Sequence, residues 1–225
     1  MVLMKLSKKR VYIIIFFVFF LFFFNFFFKT KTKLTNIIQL FVFLVFSLRV
    51  YKDIVNIVNY VKIKFPLTVI GESRTNCVII GGFKMYGKKK DAIILKDLTA
   101  KESYWNGIYG FKGASLVLDN VCIDKAGVHG VRVFQTLRNE IINCEVCHSA
   151  NHGIFCEDGH ITINDEKTRS ATSIHHNGTR GRSRDYGLYT TNKSSIIKIN
   201  TPLTKEKISF NNKDDRNWGP SFGFN

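Results

Sequence analysis

Five side chains that can move protons or hold a cation fall within 13 residues: His148, His152, Glu157, Asp158 and His160. Imidazoles and carboxylates gathered on one face suit acid/base catalysis or divalent-ion binding. That chemistry needs convergence on one exposed surface, and solvated turn residues are the competing reading. These five are the catalytic candidates.

Cys144-Glu145-Val146-Cys147-His148 has the spacing of covalent haem attachment, and with His152 and Cys156 it approaches a zinc knuckle. The knuckle is one residue short between His152 and Cys156. Cys144 and Cys156 also replace apolar residues of a repeat, as small buried hydrophobes do. No metal site is expected. Five cysteines without an evident pairing do not make a disulfide framework.

A third set is ordered by position. Tyr109, Arg132, Phe155 and Tyr189 occupy equivalent places and are expected to project from one strand face, extended by Phe111, Phe134 and Glu157. Aromatic rings and guanidinium groups can stack on sugar rings and pair with carboxylates or sulfates. These four are the ligand-binding candidates. Cross-coil stacking that merely stabilises a sheet is the equal alternative.

The elements that position these residues come from a repeat. Gly107, Gly130 and Gly153 recur every 23 residues, in Asn106-Gly107-Ile108-Tyr109, His129-Gly130-Val131-Arg132 and His152-Gly153-Ile154-Phe155. A fourth copy, Tyr186-Gly187-Leu188-Tyr189, follows 34 residues later, one period plus an insertion of 11 assigned to a loop over residues 170–185. Leu95, Leu118 and Ile141 keep the period, as do Leu98, Val121 and Cys144, and Ala100, Ile123 and Val146. Asp97, Asn120 and Asn143 form a polar column between the first two. Such self-similarity marks a stacked array.

Around each glycine, Ile108/Gly110, Val131/Val133 and Ile154/Cys156 alternate with Tyr109, Arg132 and Phe155. Alternation with period two indicates strands. The predicted fold is all-β: a right-handed single-stranded parallel β-helix of about five to six coils over residues 66–225. Its coils are stacked about 4.8 Å apart. The recurring glycine is expected to supply backbone angles closed to other residues.

The segment Gly71-Glu72-Ser73-Arg74-Thr75-Asn76-Cys77-Val78-Ile79-Ile80-Gly81-Gly82 resembles the opening coil of right-handed β-helix proteins of the pectin-lyase-like superfamily. Asn120-Val121-Cys122-Ile123 and His129-Gly130-Val131-Arg132 resemble that superfamily's internal repeats. Comparable proteins occur in bacteria and large DNA viruses. The resemblance covers residues 66–195 and implies a fold, since the scaffold hosts lyases, hydrolases, esterases, epimerases and binding proteins. Ca2+ is implied only for a lyase-like member, and no other cofactor is expected. The hydrolase set is not matched, and the paired Asp of the esterase and hydrolase motifs are missing. His129-Gly130 and His152-Gly153 recur at the repeat spacing, which favours corner chemistry over catalysis. Asp214, Asp215 and Arg216 have suitable types, but neighbours on a strand face opposite ways.

The N-terminus differs in composition. Thirteen of the 21 Phe residues precede residue 50, and residues 1–64 hold 11 of the 33 basic side chains against one acid. The total of +16 therefore describes mainly membrane-flanking residues, and nucleic acid is not an expected partner. Residues 11–28, apolar except for Tyr12 and Asn25, are long enough to span a bilayer and lack a cleavage site, so residues 1–35 are expected to form an uncleaved single-pass membrane anchor. A translated low-complexity tract is the alternative. Residues 36–65 are expected to form a second apolar or amphipathic helix, because Ile54, Val55, Ile57, Val58 and Val61 recur at helical spacing. That helix would cap the coil stack. The other end, where Trp218-Gly219 begins another glycine corner, would be open to self-association.

Two functions follow. One is a membrane-anchored module that binds acidic or neutral polysaccharide or serves a structural surface role. The other is a polysaccharide-acting enzyme, lyase-like or epimerase-like, working through the His148–His160 cluster.

Overall fold

The computed structural model describes residues 47–50, 53–88, 91–113, 115–165 and 170–219; the expected anchor at 11–28 lies outside them. The chain runs through β1 (Ser47–Val50), β2 (Asp53–Ile63), β3 (Leu67–Gly71), β4 (Cys77–Tyr86), β5 (Ala92–Lys101) and β6 (Ile108–Phe111). It continues through β7 (Ser115–Asp124), β8 (Val131–Phe134), β9 (Asn139–Ile142), β10 (Glu145–Cys147), β11 (Ile154–Glu157) and β12 (His160–Asn164). Then come β13 (Ser173–His175), β14 (Leu188–Thr190), β15 (Ile196–Ile199), a short helix α1 (Lys205–Ile208) and β16 (Ser209–Phe210). Among the described residues no helix is long and apolar enough to cross a membrane.

Every strand pairing is parallel, and together they sort the strands into three columns. The first stacks β3, the start of β5, the start of β7, and β9, β12 and β15. The second stacks the starts of β2 and β4, the ends of β5 and β7, and β10, β13 and β16. The third stacks the ends of β2 and β4, then β6, β8, β11 and β14. The fold is an all-β parallel solenoid with at least four successive turns. Inward residues repeat at 23-residue spacing, and Leu95, Leu118, Ile141, Leu98, Val121, Cys144, Ala100, Ile123 and Val146 are all 0–1% exposed. Burying each branched aliphatic side chain stabilises the stack by about 1.5–3 kcal/mol.

Three expectations are corrected. Residues 53–63 form strand β2, paired in parallel with β4, so the stack extends N-terminal to residue 66. A run of Ile and Val fits a helical and a strand period alike, and pairing with an existing sheet edge decides for the strand. Second, residues 170–185 are not one loop, since β13 continues the second column through them. Glu145 pairs with Ser173, 28 residues on, and Ile154 with Leu188, 34 residues on, so the 11-residue insertion is split on either side of β13. Trp218 bridges Leu188 in parallel and carries the third column onward.

Third, the repeating glycines do not adopt left-handed backbone angles. That conformation belongs to non-glycine residues at the corners: Asp97, Asn120 and Asn143 at one, Glu102, Lys125, His148, His176 and Asn211 at the next, Lys112, Gln135 and Asp158 at the last, with φ from 47° to 55°. Gly107, Gly130 and Gly153 are needed for space. A Cβ on Gly130 would lie 2.3 Å from Val146 Cγ1 and 2.7 Å from the Gly153 carbonyl oxygen of the next turn.

Candidate functional site

The third column carries the predicted ligand-binding residues on its outer face. Lys62, Lys84, Tyr109, Arg132, Phe155 and Tyr189 are register partners on successive turns. Lys84 Nζ lies 5.0 Å from the Tyr109 ring centre and 5.3 and 5.4 Å from those of Tyr86 and Phe111. The Arg132 guanidinium lies between Tyr109 and Phe155, 5.2 and 5.4 Å from their centres, and donates to Glu157 Oε2 at 2.6 Å. Phe111 and Phe134 stack at 5.6 Å.

At its far end this face closes upon itself. His152 stacks on Tyr189 at 4.5 Å with an interplanar angle of 2°, His129 on Phe155 at 4.6 Å, and His129 on His152 at 5.0 Å. Rings stacked face to face offer mainly their edges to a ligand. His152 Nδ1 accepts the Tyr186 backbone N–H at 2.9 Å, which leaves its proton on Nε2. Burial holds His152 neutral down to about 4 and His129 down to about 2.

Sequence reasoning missed an exposed aromatic pair. Tyr104 and Trp105 are 75% and 52% exposed and meet edge to face at 5.2 Å. They lie in the loop between the second and third columns. The loop is tied to the next turn by Val128 N–H donating to the Trp105 carbonyl, and to Tyr60 by Asn106 N–H donating to its hydroxyl. The loop leads directly into β6, whose Tyr109 belongs to the ladder. The signal was available: 23 residues on, the same places hold Gly127 and Val128, and in the next copy Ala150 and Asn151.

The five catalytic candidates do not converge. His148 stands at the corner after the second column, exposed, with Nδ1 2.9 Å from Asp124 Oδ1. His152 is buried in the ring stack, Glu157 pairs with Arg132, and His160 opens β12 in the first column. Asp158 accepts from Asn192 and Ser194, which hold its carboxyl below the usual range. Cys144 and Cys156 are fully buried, their thiols pushed up to about 12 by desolvation, as core cysteines should be.

His148 has other neighbours. Asp124, Cys147 and His175 are register partners on the outer face of the second column, and Cys122 partners Glu145 beside them. His175 Nε2 lies 3.2 Å from Glu145 Oε1, and Arg74 pairs with the same carboxylate. The Cys147 thiol points at Asp124, its Sγ donating to Oδ1 at 3.6 Å. A separate open depression of about 570 Å3 is lined by Asn151, His152, Arg182, Ser183, Arg184 and Asp185.

Residues 67–202, more than half of the chain, match the family described as the right-handed β-helix region. The chain belongs to that family, and the turns described above are right-handed. No curated protein and no solved structure matches it.

Proposed function

We propose that this chain is a β-helix module that binds an acidic polysaccharide, held at a membrane by residues 11–28. The observations that support this reading most are the exposed Tyr104–Trp105 pair, in the loop that leads into β6, and the Lys84–Tyr109–Arg132 ladder that β6 joins through Tyr109. Exposed indole and phenol rings pack against the C–H faces of pyranose rings. Lys62 and Lys84 on successive turns about 4.8 Å apart, and Arg132 two turns beyond Lys84, can follow the carboxylates or sulfates of a chain laid along the solenoid. Among the described residues Lys84 has no carboxylate partner, so its charge is available.

A glycan array probed with the full-length chain, run beside an ultraviolet assay for β-elimination on the same acidic polysaccharides, tests the reading. Retained acidic glycans without an unsaturated product support a binding module. Appearance of that product would instead support the lyase-like enzyme, and retention of neutral glycans alone would remove the role of Lys84 and Arg132.

A further inference from the structure

The geometry points to a transition-metal site of the zinc type on the outer face of the second column, with Cys147 Sγ, His148, His175 and the Asp124 carboxylate as ligands. The ligand atoms of Asp124, Cys147 and His148 all lie within 4.8 Å of one another, and so do those of Glu145, Cys147 and His175. Cys147 is common to both groups. Two imidazoles and two carboxylates therefore surround one thiol. A tetrahedral zinc ion with bonds of about 2.0–2.3 Å holds its ligand atoms roughly 3.3–3.7 Å apart, so gathering Asp124, His148 and His175 around Cys147 requires side-chain rotation from the present arrangement, in which the two imidazole centres lie 6.2 Å apart.

The fold brings these residues together without help from local sequence. Parallel register stacks Asp124, Cys147 and His175 on three successive turns, and the left-handed corner at His148 (φ 54°) turns its ring back toward Asp124. Thiolate and imidazole select zinc-like ions over calcium or magnesium. Outer partners are also in place. His175 Nε2 donates to Glu145 Oε1 at 3.2 Å and its Nδ1 faces His176 Nδ1 at 2.7 Å, so His175 ligates through Nε2 once an ion displaces that proton. Arg74 neutralises Glu145, which makes Asp124 the better carboxylate ligand, although Lys101 stands 3.6 Å from it. The side chains of His148 and His175 are 47% and 16% exposed, so an ion can enter from solvent. Binding displaces the Cys147 proton. The ligand set differs from the Cys144–Cys147–His152–Cys156 spacing, whose outer cysteines lie in the core.

Titration of the purified full-length chain with Co2+ reads the site through thiolate-to-cobalt charge transfer and the visible bands of tetrahedral cobalt. The expected result is one Co2+ per chain, displaced by Zn2+, with the charge-transfer band lost in Cys147→Ser and kept in Cys122→Ser. His148→Ala and His175→Ala should each weaken binding by about ten-fold or more. These two variants carry the test if Cys147→Ser does not fold. Zn2+ should also raise the thermal midpoint of the parent chain, because the ion ties three turns together. Absence of Co2+ binding by the parent chain would overturn the assignment, as would a band that survives Cys147→Ser or is unmoved by both histidine variants.

Discussion

Gly107, Gly130 and Gly153 show how one residue type is kept for a reason its sequence position hides. Their period was legible, but the cause was not, because close approach between turns is invisible until the coils are stacked. Alanine at Gly130 is therefore expected to destabilise by about 1–3 kcal/mol, since its Cβ would meet Val146 and the Gly153 carbonyl. Gly110→Ala, where the nearest atoms are 3.9 Å away, should be neutral or stabilising by up to about 1 kcal/mol. Urea unfolding of the two variants makes the comparison. The buried histidines give a second residue-scale prediction. The unfolded chain protonates His129 and His152 near their ordinary 6.5, whereas the folded chain holds them neutral to about 2 and about 4. Below about pH 6.5 the unfolded state thus binds the extra protons, and stability falls by up to about 1.4 kcal/mol per pH unit for each group. Above that pH their contribution is constant. Urea midpoints between pH 7.5 and 5.5 should show the fall, and His129→Phe should remove its share.

At the scale of elements, strands whose inward residues repeat every 23 positions were legible, and those outside that spacing were not. β13 escaped because insertions on both sides shift its register, and β2 because Ile and Val runs satisfy two periods at once. What holds β13 in place is a ladder of buried amides across turns. Asn177 Oδ1 accepts from Ser149 N–H at 3.0 Å, its Nδ2 donates to the Val146 and His175 carbonyls, and its own N–H donates to Asn212 Oδ1. Asn177 is 1% exposed, so although it heads an Asn-Gly-Thr triplet its amide is not accessible to a glycosyltransferase in the folded chain; Asn192 is exposed. Asn177→Ala leaves one buried donor and two acceptors short of a partner and should cost about 2–4 kcal/mol. Thermal unfolding would show it, and a loss under 1 kcal/mol would mean that water replaces the amide.

For the whole molecule, the family and the column structure account for the fold, and the surface decides the function. The convergence of Asp124, Cys147, His148 and His175 could not be read from sequence, since it joins three turns. The split of the His148–His160 cluster across different corners was equally hidden, because contiguous residues of a solenoid face different sides. The exposed Tyr104–Trp105 pair, in the loop leading into β6, together with Lys84, Tyr109 and Arg132 carries the central claim. Its most direct test measures the affinity of the full-length chain for a uronate- or sulfate-bearing polysaccharide, before and after Tyr104→Ala/Trp105→Ala and Lys84→Ala, at low and physiological salt. The account predicts binding that weakens with salt, and a loss of about ten-fold or more, roughly 1.4 kcal/mol, for the aromatic pair. Lys84→Ala should lower affinity and flatten the salt dependence. Binding unchanged in both variants, or a parent chain that holds no acidic polysaccharide, would contradict it.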